Sequence, residues 1–164
     1  MEIRALEAEE IDIHRELRLR ALRDAPDSFA DAYDEVAAKP RSYWEEHTRG
    51  CTETNFAVMF LAAHEDRVLG STYGFKDRER DDTARVGGMW VDPTVRGKGV
   101  GRALLEAVFA WARSCGLKRI ALWAPAHNPA ALALYTHASF SETGRDRAMP
   151  TKAQLRIIEM ERTL

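Results

Sequence analysis

The stretch Met89-Trp-Val-Asp-Pro-Thr-Val-Arg-Gly-Lys-Gly-Val-Gly101 restricts this chain more than any other. It reads as the end of a strand (Arg85 to Val91), a tight loop opened by Asp92-Pro93, and glycines at alternate positions leading into a helix. Glycine tolerates positive φ and lets other groups approach the backbone closely, so Gly97, Gly99 and Gly101 predict a loop shaped around a bound group. No Ser, Thr, Asn or Asp directly precedes the helix to satisfy its first free N–H groups. Arg96, Lys98 and Arg102 add positive charge, and free N–H groups together with the helix dipole favour an anion.

Spacing separates three phosphate-binding patterns. A Walker A loop needs Gly-Lys followed by Ser or Thr, whereas Lys98 is followed by Gly99. The dinucleotide fingerprint needs a glycine where this chain has Arg102, and no acidic residue ends the next strand, Arg119 to Ala124. The remaining pattern is Arg96-x-x-Gly99-x-Gly101. It resembles the pyrophosphate-binding motif of the GCN5-related N-acetyltransferases, Arg/Gln-x-x-Gly-x-Gly/Ala.

The 164 residues suit one domain, taken as 1–164, with a single substantial core. Hydrophobic content of 45% and charged content of 30% are those of a globular chain without a membrane-spanning run. The N-terminal residues lack the layout of a signal peptide, and Cys51 and Cys115 have neither metal-ligand spacing nor the density of a disulfide scaffold. A cytoplasmic protein without metal or membrane partner is expected. The net charge of −2 divides unevenly, with 12 basic and 20 acidic residues over 1–82 against 12 basic and 6 acidic over 83–164. A basic second half suits a polyphosphate cofactor and an acidic first half suits either a solvated acidic face, the commoner case, or a cationic small-molecule acceptor, while no broad basic surface is offered to nucleic acid.

Periodicity predicts a strand at Ile3–Leu6, then a helix through Ile11, Leu17, Leu19 and Leu22, and a second helix from Ser28 or Phe29 towards Val36. Ser42 is expected as an N-cap, with Glu45 completing a capping box. Strands follow at Asn55–His64 and Val68–Lys76 around a turn at Glu65–Arg67, then a solvated charged loop, Asp77–Asp82. A helix over Gly101–Ser114 is closed by Gly116 at C′. Beyond the Arg119–Ala124 strand come a helix at Pro129–Ala138 and strands at Phe140–Arg145 and Leu155–Arg162. The class is mixed α/β, with a largely antiparallel central sheet and one parallel strand–loop–helix–strand unit over residues 84–124.

Asn128-Pro129 is an N-cap and first-turn signature, and Ala131 and Tyr135 share a helix face with Asn128. Asn128, Ala131, Leu134, Tyr135 and Phe140 match the second motif of the same acetyltransferase family, so the resemblance extends over about residues 84–141 in the right order. Ser139 departs from it, since the family often has Gly before the Phe. The resemblance implies the GNAT-like acyl-CoA N-acyltransferase fold, acetyl-CoA as co-substrate and a primary amine as acceptor. By position, Met89, Trp90 and Val91 hold the pantetheine arm, Arg96, Gly97, Lys98, Gly99, Val100, Gly101 and Arg102 the pyrophosphate, and Asn128 and Ala131 the arm again. Tyr135 faces the leaving thiolate as general acid.

No base is evident. Many relatives carry a Glu on the strand that here reads Arg85-Val86-Gly87-Gly88-Met89. Asp27, Asp31, Glu53, His127 and His137 remain, beside a backbone-and-water relay. Phe29 and Tyr33 are the expected acceptor-binding residues, closing over a small molecule. A protein N-terminus or lysine as acceptor, or a non-catalytic coenzyme A-binding module, are the alternatives, and the sequence admits a homodimer.

Overall fold

The computed structural model describes residues 1–164. In chain order the elements are β1 (Glu2–Ala5), α1 (Ile11–Asp24), α2 (Tyr33–Ala37), α3 (Arg41–Thr52), β2 (Ala57–His64), β3 (Arg67–Lys76) and β4 (Thr83–Val91), followed by α4 (Val100–Ser114), β5 (Arg119–Pro125), α5 (Pro129–His137), β6 (Ser141–Met149) and β7 (Lys152–Thr163). All seven strands form one sheet in the order β1-β2-β3-β4-β5-β7-β6. Only β4 and β5 pair in parallel, joined through α4 as the residue pattern over 84–124 predicts.

Strand alternation sorts the core onto the two faces of the sheet. Met59, Leu61 and Trp90 pack with Leu17, Leu22, Val36 and Trp44 from α1–α3. Ala84, Val86, Ile120 and Leu122 pack with Leu105, Val108 and Phe109 of α4 and with Tyr135 of α5. Leu104, Leu105, Val108, Phe109 and Ala112 are fully buried. Truncating one of the larger of them to Ala costs about 2–5 kcal/mol. α4 lies so close to β3 that a Cβ on Gly74 would stand 2.8 Å from Val108 Cγ1.

Several expected boundaries shift for identifiable reasons. Ser42 lies inside α3 rather than capping it: extended Pro40 is the N-cap, and Glu45 bonds Arg41 at 3.2 Å instead of reaching back. The second helix shrinks to Tyr33–Ala37 after a short 3-10 turn at Pro26–Ser28. Carbonyls of Pro26, Phe29 and Ala30 accept from Lys152 and Thr151 of the β6–β7 hairpin, which hold this stretch outside a helix. The loop after β3 is organised, not merely solvated, for Asp77 accepts from the amides of Glu79 (2.8 Å) and Arg80 (3.3 Å) and from Arg85 Nε (2.6 Å). Burial pushes the Asp77 carboxyl up, but the Glu79 amide, Arg85 and the Arg80 amide together hold it below the usual carboxylate range. β6 and β7 extend further towards their turn than the sequence pattern suggests.

Candidate active site

The parallel pairing of β4 with β5 runs from Thr83↔Arg119 to Val86↔Leu122 and stops. Beyond it the chain at Gly88 turns to φ +59, and the register of β4 against β3 shifts between Ser71 and Tyr73. A Cβ on Gly88 would stand 2.5 Å from the Tyr73 ring, so only glycine permits this close approach. The two strands part, and the opening becomes a cleft of about 510 Å³. Gly87 to Val91 form one wall and Trp123, Pro125 and α5 the other; the glycine loop lies at one end, and Ser28 and Phe29 form a lip.

The loop is set by its own side chains. Asp92 accepts from the Thr94 amide (3.0 Å) and hydroxyl (2.6 Å) and from Arg20 of α1 (2.6 Å). Bonds from Thr94 foremost, then Arg20, hold its carboxyl below the ordinary range. The three glycines play two different parts. Gly97 (φ +74) and Gly99 (φ +83) are left-handed with no atom near a would-be Cβ, and Gly99 is the N-cap of α4 without a side-chain cap bond. Gly101 is helical, and its would-be Cβ meets Leu134 of α5 at 3.0 Å. The first two shape the loop; the third lets α5 close against α4.

Of the residues singled out in the sequence, Met89, Trp90, Val91, Arg96, Gly97, Gly99, Val100, Gly101, Arg102, Asn128, Ala131, Tyr135 and Phe29 line this one cleft. Trp90 is 4% exposed and packs into the α1–α3 core, its indole Nε1 donating to Asp24 at 3.0 Å. Lys98 stands outside the wall with its amine 3.3 Å from the Thr94 carbonyl. Arg96 donates from Nε to the Val91 carbonyl (2.9 Å) and pairs with Asp24. Asn128 does what its N-cap position predicts, accepting from the Ala131 amide (3.1 Å), and its amide also donates to Ser28 Oγ (3.2 Å) on the lip.

Tyr135 is 6% exposed, packs edge-on against Phe140 and makes no side-chain hydrogen bond within the protein. Burial pushes its phenol up to about 12. Ser139, the departure from the family pattern, adopts φ +65, so this turn does require the left-handed conformation that glycine would supply.

The acceptor expectations divide. Phe29 is in the cleft, beneath the Arg18 guanidinium at 4.8 Å, whereas Tyr33 lies outside it, bonded by Arg23. None of Asp27, Asp31, Glu53, His127 and His137 lines the cleft. Asp31 is paired with Arg18 at 2.6 Å, Glu53 with Arg49 at 3.6 Å, and His137 Nδ1 lies 2.7 Å from the Ala133 carbonyl. Arg96 and Arg102 are the only ionic side chains on the wall, which carries no Asp, Glu or His. Trp123, Ser28 and Asp24 were missed in the sequence. Strand alternation could have found the first, placing it opposite Leu122 and Ala124, but nothing local announces the other two.

Fold and cleft together are those of the N-acetyltransferase class. The chain belongs to the acetyltransferase (GNAT) family, whose model matches residues 16–140. Over 111 residues it is 38% identical to an aminoglycoside N(6')-acetyltransferase type 1 of Stenotrophomonas maltophilia, covering 62% of this chain and 70% of that one. Over 94 residues it is 33% identical to a mycothiol acetyltransferase of Geodermatophilus obscurus, covering 55% of this chain but spanning only 30% of that relative's length. In structure it resembles yncA of Salmonella typhimurium, solved with its cofactor acetyl-CoA, with a TM-score of 0.80 at 19% identity over 100% of this chain and 94% of that one. The matched region is thus a GNAT-family acetyltransferase domain. No three His, Cys, Asp or Glu side chains are grouped to hold a metal, and no helix is long and apolar enough to cross a membrane.

Proposed function

We propose that the chain forms one domain that moves the acetyl group of acetyl-CoA to the primary amine of a small molecule by direct attack. One observation carries the reading: the opening between β4 and β5 runs without interruption into the left-handed Gly97–Gly99 loop at the N-terminus of α4. In this reading the free N–H groups of that terminus, with Arg96 and Arg102, receive the pyrophosphate. The pantetheine arm lies along Met89 to Val91, beyond the last β5 pairing, and passes Asn128 and Ala131. Its thioester then lies beside Tyr135. The two unpaired, half-buried cysteines support a seat in the reducing cytoplasm.

The chemistry follows from what lines the cleft. An alkylammonium of pKa about 10.4 gives up its first proton at a cost of roughly 5 kcal/mol at pH 7, and no side chain on the wall can take it. Water is left as the carrier. The free amine forms the N–C bond, the C–S bond breaks, and the nitrogen loses a second proton; one proton ends on the thiol and one in solvent. With its phenol near 12, Tyr135 remains protonated throughout. Its O–H is free to donate a hydrogen bond to the departing sulfur as negative charge builds there. That refines the general-acid expectation.

Calorimetric titration with acetyl-CoA tests the cofactor half. Binding should weaken as salt rises and be lost in Gly99→Glu, whose carboxylate meets the pyrophosphate; equal affinity in that variant would defeat the assignment of the loop. Thiol release with a panel of amines tests the reaction. Tyr135→Phe should keep cofactor affinity and lower kcat by roughly 10- to 100-fold, the worth of one hydrogen bond to a charged group, and a wild-type rate would make Tyr135 a packing residue. Because no wall side chain titrates as base, the rate should climb with pH towards the acceptor amine's own pKa. A plateau near pH 6–7 would reveal a protein base and refute the water route.

A further inference from the structure

The acidic first half of the sequence suggested a cationic acceptor, but its carboxylates are not on the cleft wall. Glu10 is paired with Arg4, Asp31 with Arg18 and Asp24 with Arg96. At the acceptor end the wall is formed by Trp123, on the face of β5 opposite Leu122 and Ala124. Just outside the wall, two guanidinium groups of β6 stand over its ring, Arg147 at 4.2 Å and Arg145 at 5.8 Å from the centroid. Strand alternation turns Asp146, between them, to the other face, where it pairs with Arg156.

The neighbouring arginines are neutralised and Arg147 is not. Buried Glu159 is shared by Arg85 (2.9 Å), Arg145 (3.3 Å) and Arg80 (3.5 Å), and accepts from Thr143 at 3.0 Å. Arg80 and Arg119 also hold Glu161, at 2.5 and 3.0 Å. Arg147 has no carboxylate within ion-pair distance and no hydrogen bond from its guanidinium. Stacking on an indole fixes a guanidinium's plane while leaving its in-plane N–H groups free for a planar or tetrahedral oxyanion.

Resting on the acetyl-transfer reading, we infer that the acceptor is a small amine that also carries an oxyanion, a carboxylate or phosphonate, which Arg147 receives over Trp123 with Arg145 beside it. A polyammonium acceptor would find the unpaired Arg147 guanidinium bordering Trp123 and no carboxylate on the wall to hold its second cation. Arg147 is then a specificity-determining residue.

The experiment compares matched acceptors at saturating acetyl-CoA: L-amino acids against their amides, 2-aminoethylphosphonate, and spermidine. Wild type should favour the oxyanionic amines in kcat/KM. Arg147→Ala should lower kcat/KM for them by about 10- to 100-fold, mainly through KM, while the amides and the KM of acetyl-CoA change little. Arg147→Lys should restore part of the loss, and Arg147→Glu should invert the preference towards spermidine. Amides or spermidine being preferred by wild type, or an unchanged preference in Arg147→Ala, overturns the inference. Calorimetry of the same amines against the coenzyme A complex reads recognition without turnover. Bound coenzyme A with no heat from the oxyanionic amines also overturns it, whereas failure to bind acetyl-CoA at all defeats the acetyl-transfer reading itself.

Discussion

His14 is 2% exposed beneath the bend of β4, its Nδ1 2.9 Å from Thr48 Oγ1 and its Nε2 2.6 Å from the Tyr73 hydroxyl. A neutral imidazole satisfies both, donating from one nitrogen and accepting at the other. Burial, aided by His47 and Arg18, lowers its pKa from 6.5 to about 4. Between those values the unfolded chain holds a proton that the folded chain refuses, so acid favours unfolding. The stability lost as pH falls from 6.5 to about 4 is of order 3 kcal/mol. Urea midpoints followed over that range should decline more steeply in wild type than in His14→Gln, where only the depressed carboxyls of Glu10, Asp77 and Asp92 still lose stability near the acid end. A parallel decline in both would mean that His14 titrates normally in the folded protein. The consequence reaches the site, because Tyr73 is the ring against which Gly88 bends.

Among the elements, the junction of α4 with α5 is where a glycine does not do what its motif suggests. Gly101 needs no left-handed backbone; it needs room for Leu134, 3.0 Å from a would-be Cβ. In Gly101→Ala the crowding of Leu134 opposes the roughly 1 kcal/mol that alanine gains over glycine in a helix. The substitution should therefore be more favourable in a Leu134→Ala background than in wild type, with a coupling of about 0.5–3 kcal/mol in the double-mutant cycle. Strictly additive effects would show that the two residues do not meet. The glycine spacing, the Asn-Pro cap and the apolar stripe of α4 were all legible because each is a local signal. Polar β6 was only half legible, as an edge strand with nearly every residue exposed has no alternation to read. The Glu159 arginine network was invisible for another reason: its members come from residues far apart in sequence, joined only when β4, β6 and β7 come together. The short α2 escaped likewise, since its truncation depends on side chains from the far end of the chain.

Across the whole molecule, those side chains connect the two ends of the sequence over the cleft. The turn between β6 and β7 reaches the loop after α1, where Lys152 Nζ donates to the carbonyls of Phe29 (2.7 Å) and Pro26 and Thr151 Oγ1 donates to that of Ala30. Asn128 reaches the same loop from the opposite wall through Ser28. The lip carrying Phe29 is thus held on both sides, although its own 3-10 turn is only three residues long. Without Lys152 two carbonyls lose a charged donor, worth about 1.5–3 kcal/mol each where water does not replace it, and the lip gains local freedom. Lys152→Met preserves the length and apolar stem of the side chain while removing the donor. The variant should raise acceptor KM several-fold and speed amide exchange over residues 26–31, while acetyl-CoA, held at the other end of the cleft by the glycine loop, binds as before. Loss of acetyl-CoA affinity in step with acceptor affinity would instead place the effect in the sheet, and unchanged exchange in the lip would mean that Asn128 and the 3-10 turn hold it without help from the hairpin.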